Sequence, residues 1–231
     1  MRRSVPSSRP TPTLLIRFLS LALLALALPA TAQAPSLETA VVRGVEVAET
    51  AYRGRPALRV ADPPGTPPPT PRLVLFPDSA MTDGALEVWL AAEPAPDAPP
   101  QARGFVGLAF AADPEDATYE AFYLRMTNGR AQSQVMRNHA SQYVAEPEWG
   151  WSRLRDQAPK AYEAYVDLEP GAWTKVRVEV EGDRARLYVH DAPRPTLTVE
   201  RRAEGGGAVG LWIGPWTVAH FADLHVSPSL D

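Results

Sequence analysis

The run "WTKVRVEVEGDRARLYVHD" (residues 173–191) carries the clearest structural signal in the chain. In a strand, successive side chains point to opposite faces, so apolar residues at every second position place one face on a core. The turn is Gly182-Asp183, and the apolar positions on its two sides are Val176, Val178, Val180, Ala185, Leu187 and Val189. This pattern predicts an antiparallel hairpin with one buried face.

Short strands are predicted along most of the chain. The run "ALEVWLA" (85–91) alternates in the same way, and the nearly all-apolar "RGFVGLAF" (103–110) is typical of a strand covered on both faces. Residues 151–161 could hold a short helix. The Pro-rich stretches 61–71 and 93–102 are predicted loops, because proline donates no hydrogen bond to a sheet. Further strands are predicted at 40–50, 56–60, 71–76, 119–126, 162–168, 196–200, 208–213 and 217–226.

The first 32 residues have the pattern of a secretory signal peptide. Four arginines precede the apolar run Phe18 to Leu28, and Ala30-Thr31-Ala32 then offers a small-residue cleavage site. The apolar run is far shorter than the roughly 20 residues that a membrane-spanning helix needs. We therefore expect cleavage after Ala32, export to the periplasm or the exterior, and no membrane span in the mature chain.

The composition of the mature chain favours one self-sufficient domain. Removal of 1–32 leaves 231 − 32 = 199 residues, with 23 − 4 = 19 basic against 27 acidic side chains, or −8. Such a charge disfavours nucleic acid as a partner. The chain has no cysteine, so its core must stabilise it without disulfides. Many short strands in one unit of this size predict an all-β fold over 33–231, a two-sheet antiparallel β-sandwich or jelly roll.

The order of several segments resembles a known superfamily. "DGALEVWL", "RGFVGLAF", "YEAFYLRMTNG", the hairpin and "GGAVGLWIGPWTVAHFADLHV" follow one another as in the concanavalin A-like lectin/glucanase superfamily, over nearly all of 72–227. They are most similar to the laminin-G-like and 3-keto-disaccharide-hydrolase-type domains of exported bacterial proteins. The resemblance implies two curved sheets packed face to face, with carbohydrate held on the concave sheet or at its rim. The Glu-x-Asp-x-x-Glu strand of family-16 glycosidases in this superfamily does not occur here.

One polar stretch, "YLRMTNGRAQSQVMRNHASQYV" (123–144), differs from the rest of the chain. Planar amides and guanidinium groups can hydrogen-bond vicinal hydroxyls, and aromatic rings can stack on a sugar. The stretch therefore predicts a saccharide site. The candidate ligand-binding residues, including two tryptophans just beyond it, are Tyr123, Arg125, Asn128, Arg137, Asn138, His139, Gln142, Tyr143, Trp149 and Trp151.

Charge and hydrogen bonding leave two interpretations of this stretch open. Residues 119–155 contain five arginines against three acids, a balance of +2 that favours an anionic or strongly polar ligand. Alternatively, the same polar side chains hold a long loop against the sheet by satisfying its backbone.

Candidate catalytic acids are fewer. Glycoside hydrolysis needs a pair of carboxylates on either side of the scissile bond. Glu120 is the best single candidate because it begins the strand that leads into 123–144, and its alternative role is a salt bridge with an arginine. Glu163 and Asp167 are a further pair that would share one strand face.

The sequence predicts no cofactor and no metal site among its histidines. Calcium is the one candidate ion, since Asp113, Glu115 and Asp116 could offer it oxygen ligands from one loop. The leading hypothesis is thus an exported carbohydrate-binding β-sandwich. The alternatives are a glycoside hydrolase of the keto-disaccharide-hydrolase type, and a structural or protein-interaction module.

Overall fold

The computed structural model describes Met1 and residues 34–65, 71–116 and 118–228. Apart from Met1, the predicted signal peptide 1–32 lies outside the described residues, as does the part of the first Pro-rich loop at 66–70.

The described residues form fourteen strands and two α-helices. The helices are α1 Gln134–Asn138 and α2 Trp151–Gln157, and a 3-10 turn covers Met126–Asn128. The strands in chain order are β1 Val41–Arg43, β2 Glu46–Tyr52, β3 Arg55–Ala61, β4 Leu73–Met81, β5 Gly84–Pro94, β6 Phe105–Ala112, β7 Tyr119–Arg125, β8 Ser141–Glu146, β9 Glu163–Ala164, β10 Thr174–Glu181, β11 Arg184–Val189, β12 Leu197–Glu200, β13 Gly207–Ile213 and β14 Thr217–Ser227.

These strands form two seven-stranded sheets. The front sheet has the order β1-β4-β13-β6-β7-β8-β9, and the back sheet has the order β12-β11-β10-β5-β14-β3-β2. Neighbouring strands are antiparallel throughout both sheets. The prediction of a two-sheet antiparallel β-sandwich is confirmed.

The hairpin at 173–191 forms as the period of two predicts. β10 and β11 pair so that Val178 lies opposite Leu187, and both side chains are buried. Arg177, next to Val178, lies on the solvent side and forms an ion pair with Glu179. Alternation therefore assigns the faces of this hairpin from sequence alone.

Residues 40–50, predicted as one strand, form two strands that belong to different sheets. β1 pairs with β4 in the front sheet, whereas β2 pairs with β3 in the back sheet. Gly44 lies between them at a φ of 63°, a left-handed conformation that glycine adopts without steric cost. Period-two patterning continued across this break, so the sequence did not reveal the change of sheet.

The stretch 123–144 contains more regular structure than the sequence indicated. After the 3-10 turn, Ser133 caps α1 by accepting a hydrogen bond from the backbone N–H of Met136. β8 then pairs with β7 as an inner strand of the front sheet. The expectation of a long irregular loop after β7 is therefore wrong for 134–146.

The predicted strand 162–168 is wrong beyond its first residues. β9 ends at Ala164, and the following segment leaves the sheet to pack against Gly129. A Cβ atom added to Gly129 would lie 2.2 Å from the backbone nitrogen of Leu168, so the two chain segments touch directly. Asp167 forms an ion pair with Arg130 at 2.8 Å instead of sharing a strand face with Glu163.

A buried ion pair lies inside the sandwich at the start of β7. Glu120 is completely buried, and its Oε2 accepts hydrogen bonds from Nε and a terminal nitrogen of Arg201 at 2.8 and 2.5 Å. Tyr143 donates from its hydroxyl to the other carboxylate oxygen and accepts from the backbone N–H of Arg202. Burial is the main cause that raises the pKa of Tyr143, and the nearby Glu120 carboxylate adds to it. The group ties β7 and β8 to the segment after β12.

Replacing Val178 by Asp should unfold the domain. An unpaired carboxylate on the buried face of β10 costs several kcal/mol, roughly the total stability of a small domain. Arg177→Asp, one residue away on the solvent face, should be far milder. Thermal melts followed by circular dichroism compare the two variants, and equal tolerance would contradict the assignment of faces.

Breaking the buried pair from either side should destabilise the fold by about 3–5 kcal/mol, because each single change strands the partner's charge. Glu120→Leu and Arg201→Met test the two sides by urea unfolding. The double variant should recover much of the loss, since it leaves no buried charge unpaired. A double variant as unstable as the sum of the two single changes would refute this account.

Candidate functional site

A pocket of about 520 Å³ lies on the outer face of the front sheet, the face turned away from the back sheet. We call it the sheet pocket. Its floor consists of side chains from β6, β7, β8 and β13, while α1 and α2 contribute its flanks. The residues that line it are Gln101, Arg103, Phe105, Tyr123, Arg125, Asn128, Val135, Met136, His139, Val144, Glu146, Trp151, Arg155, Trp212 and Pro215. Its volume lies within the usual range for small-ligand sites.

An aromatic platform forms the floor of the pocket. Tyr123 on β7 and Trp212 on β13 are separated by β6, where Gly107 lies in register between them. Because Gly107 has no side chain, the two rings meet over it and stack at 4.6 Å between centroids, with an interplanar angle of 24°. Phe105 adds an edge contact to Tyr123 at 6.0 Å. Burial raises the pKa of Tyr123 to about 12, so this phenol stays neutral.

Arg125 holds the pocket wall together from the end of β7. Its guanidinium donates to the backbone carbonyl of His139 at 2.9 Å and to Tyr123 Oη and Gln142 Oε1, both at 3.1 Å. It also lies 3.4 Å from a carboxylate oxygen of Glu163. With its donors engaged in this way and only 7% of its surface exposed, Arg125 is chiefly a structural part of the wall.

Glu163 connects the flank of the pocket to its floor. Arg155 on α2 grips the carboxylate with two hydrogen bonds, at 3.0 Å from Nε and 2.5 Å from a terminal nitrogen. The same guanidinium lies 4.8 Å from the ring centre of Trp151, which keeps that indole beside the pocket. His139 Nε2 approaches Glu163 at 3.6 Å. Burial lowers the pKa of His139, although the carboxylate of Glu163 opposes that shift.

Unlike Glu163, Glu146 at the end of β8 has no arginine partner among the described residues. Its side chain is half-buried in the pocket wall, and burial raises its pKa. Among the residues that the structure describes, none forms a hydrogen bond or an ion pair with its carboxylate. A partly desolvated carboxylate without a partner is costly, and such groups are concentrated at functional sites.

The structure brings together about half of the residues that were predicted from the sequence to bind a ligand. Gln142, completely buried, lies beneath the pocket and supports Arg125. The nominated residues that line the pocket itself are Tyr123, Arg125, Asn128, His139 and Trp151.

The other nominated residues have different surroundings. Arg137 donates to the backbone carbonyls of Ala131 and Gln132, which is the loop-holding role that the sequence allowed. Asn138 is exposed on α1. Trp149 lines a neighbouring cavity instead.

Glu120 and Tyr143 lie on the other side of the front sheet, inside the sandwich. Neither lines the sheet pocket. Glu120 forms a buried ion pair with Arg201, the kind of contact given above as its alternative role, and its catalytic role stays a prediction.

Sequence reasoning missed four residues that matter in the pocket. Phe105 and Trp212 occupy outward positions of β6 and β13, far from 123–144 in sequence, and strand register alone brings them to Tyr123. Glu146 and Arg155 flank the candidate tryptophans. Glu146 is the last residue of a strand that was not predicted from the sequence, so the direction of its side chain could not be assigned.

In the candidate calcium loop, one carboxylate is used for hydrogen bonds within the loop. Asp113 Oδ1 accepts hydrogen bonds from the backbone N–H groups of Glu115 and Asp116, at 2.7 and 3.3 Å. Within the described ranges, no group of three or more His, Asp or Glu side chains is arranged to hold a metal ion. Likewise, no helix in the part of the chain that the structure covers is long and apolar enough to cross a membrane.

Comparison with known proteins gives the fold and no family. No protein-family model and no curated protein sequence matches the chain. Among solved structures, it is similar to the carbohydrate-binding module CBM66 from Bacillus subtilis, with 15% identity and a TM-score of 0.51 over 80% of this chain and 96% of that one.

Two further structures agree with this likeness. A protein of unknown function with a galectin-like fold, also from Bacillus subtilis, has 12% identity and a TM-score of 0.52, with 83% of this chain and 90% of that one covered. The Crh5 transglycosylase in complex with NAG has 12% identity and a TM-score of 0.51, with 84% and 81% covered. The chain therefore has the β-sandwich fold of galectin-like and carbohydrate-binding proteins.

Proposed function

We propose that this protein is an exported carbohydrate-binding β-sandwich that holds a glycan in the sheet pocket. The observation that carries the proposal is the aromatic floor of Tyr123, Trp212 and Phe105, bordered by polar side chains in a pocket of ligand size. Flat apolar rings suit the C–H face of a pyranose, and surrounding amide, guanidinium and carboxylate groups suit its hydroxyls.

The similar structures support the same class of ligand. One is a carbohydrate-binding module and another is a transglycosylase in complex with NAG. Their sequence identities to this chain are too low to indicate which sugar it binds. The choice of ligand therefore depends on the side chains of the pocket.

Charge in the pocket is smaller than the sequence suggested, which suits a neutral glycan. The guanidinium groups of Arg125 and Arg155 are both paired with Glu163, whereas Arg103 in the lining forms no ion pair within the described residues. With Glu146 as the second carboxylate, the balance is 3 − 2 = +1, below the +2 of residues 119–155. An anionic ligand stays a prediction that a glycan screen can test.

Export rests on the signal peptide expected at 1–32. N-terminal sequencing of the secreted protein should find a chain that begins after Ala32. An intact Met1 would contradict this part of the proposal.

A second candidate function is glycoside cleavage, and Glu146 is the observation that favours it. A carboxyl group whose pKa is raised by burial is suited to act as a general acid on a leaving-group oxygen. Glu163, a carboxylate that contacts the pocket residues Arg125 and Arg155, is held by both guanidinium groups, which restricts it as a base or nucleophile. Binding without cleavage is therefore our first choice.

A glycan array, followed by a search for new reducing ends after incubation with each bound glycan, separates the hypotheses. Binding without new ends supports the lead proposal, whereas new ends that disappear in Glu146→Gln would establish the enzyme. Failure to bind any glycan by a folded protein would leave the structural or protein-interaction module as the better description.

Trp151→Ala should weaken glycan binding by about 2 kcal/mol, roughly thirtyfold in Kd, as expected when an aromatic ring that stacks on the sugar is removed. The side chain is 48% exposed, so the melting temperature should change little. Tyr165→Ala is the matched control, because this tyrosine is 51% exposed and lines neither the sheet pocket nor its neighbour. Calorimetric titration of both variants checks the prediction, and equal losses would contradict the location of the site.

Arg125→Ala should lower the melting temperature by several degrees as well as weaken binding. Its removal leaves the Glu163 carboxylate with fewer cationic partners and the carbonyl of His139 without a side-chain donor from β7. Arg130→Ala is the control, because that arginine makes only exposed ion pairs. An Arg125→Ala variant with unchanged stability would show that the network does not hold the wall.

A further inference from the structure

A second cavity adjoins the sheet pocket, and one side chain lines both. This cavity, the rim pocket, has a volume of about 800 Å³, and Tyr119, Trp149 and Arg202 are among the residues that line it. Glu146 lines the rim pocket and the sheet pocket alike. The two tryptophans that the sequence grouped together are therefore divided, with Trp151 in the sheet pocket and Trp149 in the rim pocket.

Trp149 and Arg202 form a fixed part of the rim pocket wall. Trp149 is held to β8 by reciprocal backbone hydrogen bonds with Ala145, at 3.1 and 2.6 Å. Arg202 stacks on the Trp149 ring at 4.9 Å and on the Tyr162 ring at 5.3 Å, which orients its guanidinium. Arg202 Nε is buried and has no hydrogen-bond partner.

Two side chains in the lining of this cavity have unused hydrogen-bonding capacity. Glu146 supplies an acceptor, and the terminal nitrogens of Arg202, rather than its buried Nε, supply donors that no described residue accepts from. Neither side chain forms an ion pair with any residue in the described part of the chain. Partly buried polar groups normally find partners, so a free acceptor and free donors in one cavity indicate space for a ligand that can both donate and accept. A sugar hydroxyl does both.

We propose that the sheet pocket and the rim pocket are two parts of one groove, and that its ligand is an oligosaccharide whose chain passes Glu146. One sugar unit lies on the aromatic floor beside Trp151, and the next extends towards Arg202. The Glu146 carboxylate accepts hydrogen bonds from hydroxyls at the junction of the two units. This inference rests on the proposed function. It adds that the ligand has more than one sugar unit, and it names the residues that recognise the further units.

Chain length provides the test. The probes are ladders of one to six units from cellulose, chitin, xylan and fructan, titrated against the full mature chain. Affinity should rise at least tenfold between the single sugar and the trisaccharide of the ladder that binds. Arg202→Ala should abolish that rise while leaving the single sugar within about twofold of the unaltered protein.

Two more variants separate the parts of the groove. Trp151→Ala should weaken every member of the ladder by a similar factor, since the sheet pocket binds the first unit. Glu146→Gln should weaken the longer members by tenfold or more. The matched controls are Glu49→Gln on β2 and Arg194→Ala before β12, both exposed and outside the two pockets, and neither should alter the ladder.

The outcomes separate failure of the groove from failure of the proposed carbohydrate-binding function. Binding that is equally tight for one unit and for six would overturn the groove and leave the carbohydrate-binding proposal intact. A rise with length that survives Arg202→Ala and Glu146→Gln would also overturn it. If no ladder binds to a protein that melts cooperatively, both the groove and the proposed function fail.

Discussion

The candidate site depends on one carboxylate that two arginines share. Glu163 lies at the short edge strand β9 and is gripped by Arg155 from α2, approached by Arg125 from β7 and faced by His139. These contacts fasten the segment after β7 and the helix after β8 onto the outer face of the front sheet. A buried carboxylate without those partners would be expensive, so the covering segments and the acid stabilise each other. On the floor of the pocket, Phe105 and Trp212 stay partly exposed, whereas Tyr123 is buried.

Much of the fold could be predicted from the sequence, since alternation is a local property. The hairpin at 173–191 needed only its own residues, and its buried face is the predicted one. Alternation could not show where the chain changes sheet, as at Gly44, because both strands there keep a similar pattern. β8 was missed for a different reason. Its residues Ser141, Gln142 and Tyr143 are polar or amphipathic, and their burial is stabilised by hydrogen bonds that appear only in the folded chain.

The site was predictable where its residues are neighbours in the chain. Tyr123 and Arg125 share the outer face of β7, as the alternation of 119–126 indicated. Trp212 could not be found in this way, because it reaches Tyr123 across β6 only through the register of three strands and the missing side chain of Gly107. Tyr143 illustrates the opposite error. Its residue type suited a sugar site, but its strand parity placed it inside the sandwich with Glu120.

The two edges of the front sheet affect how readily a second protein chain can add a strand to it. β1 has three residues and β9 has two, so each outer edge presents only a short row of unpaired backbone groups. Long flat edges are templates on which a second chain can add a strand, and short edges remove most of that template. Beside β9, Gln142 donates from its side chain to the backbone carbonyl of Tyr162, which occupies a further group near this edge. A sandwich without cysteine has no covalent brace against partial opening. The short edge strands therefore limit the addition of a further strand to the front sheet, which no disulfide braces.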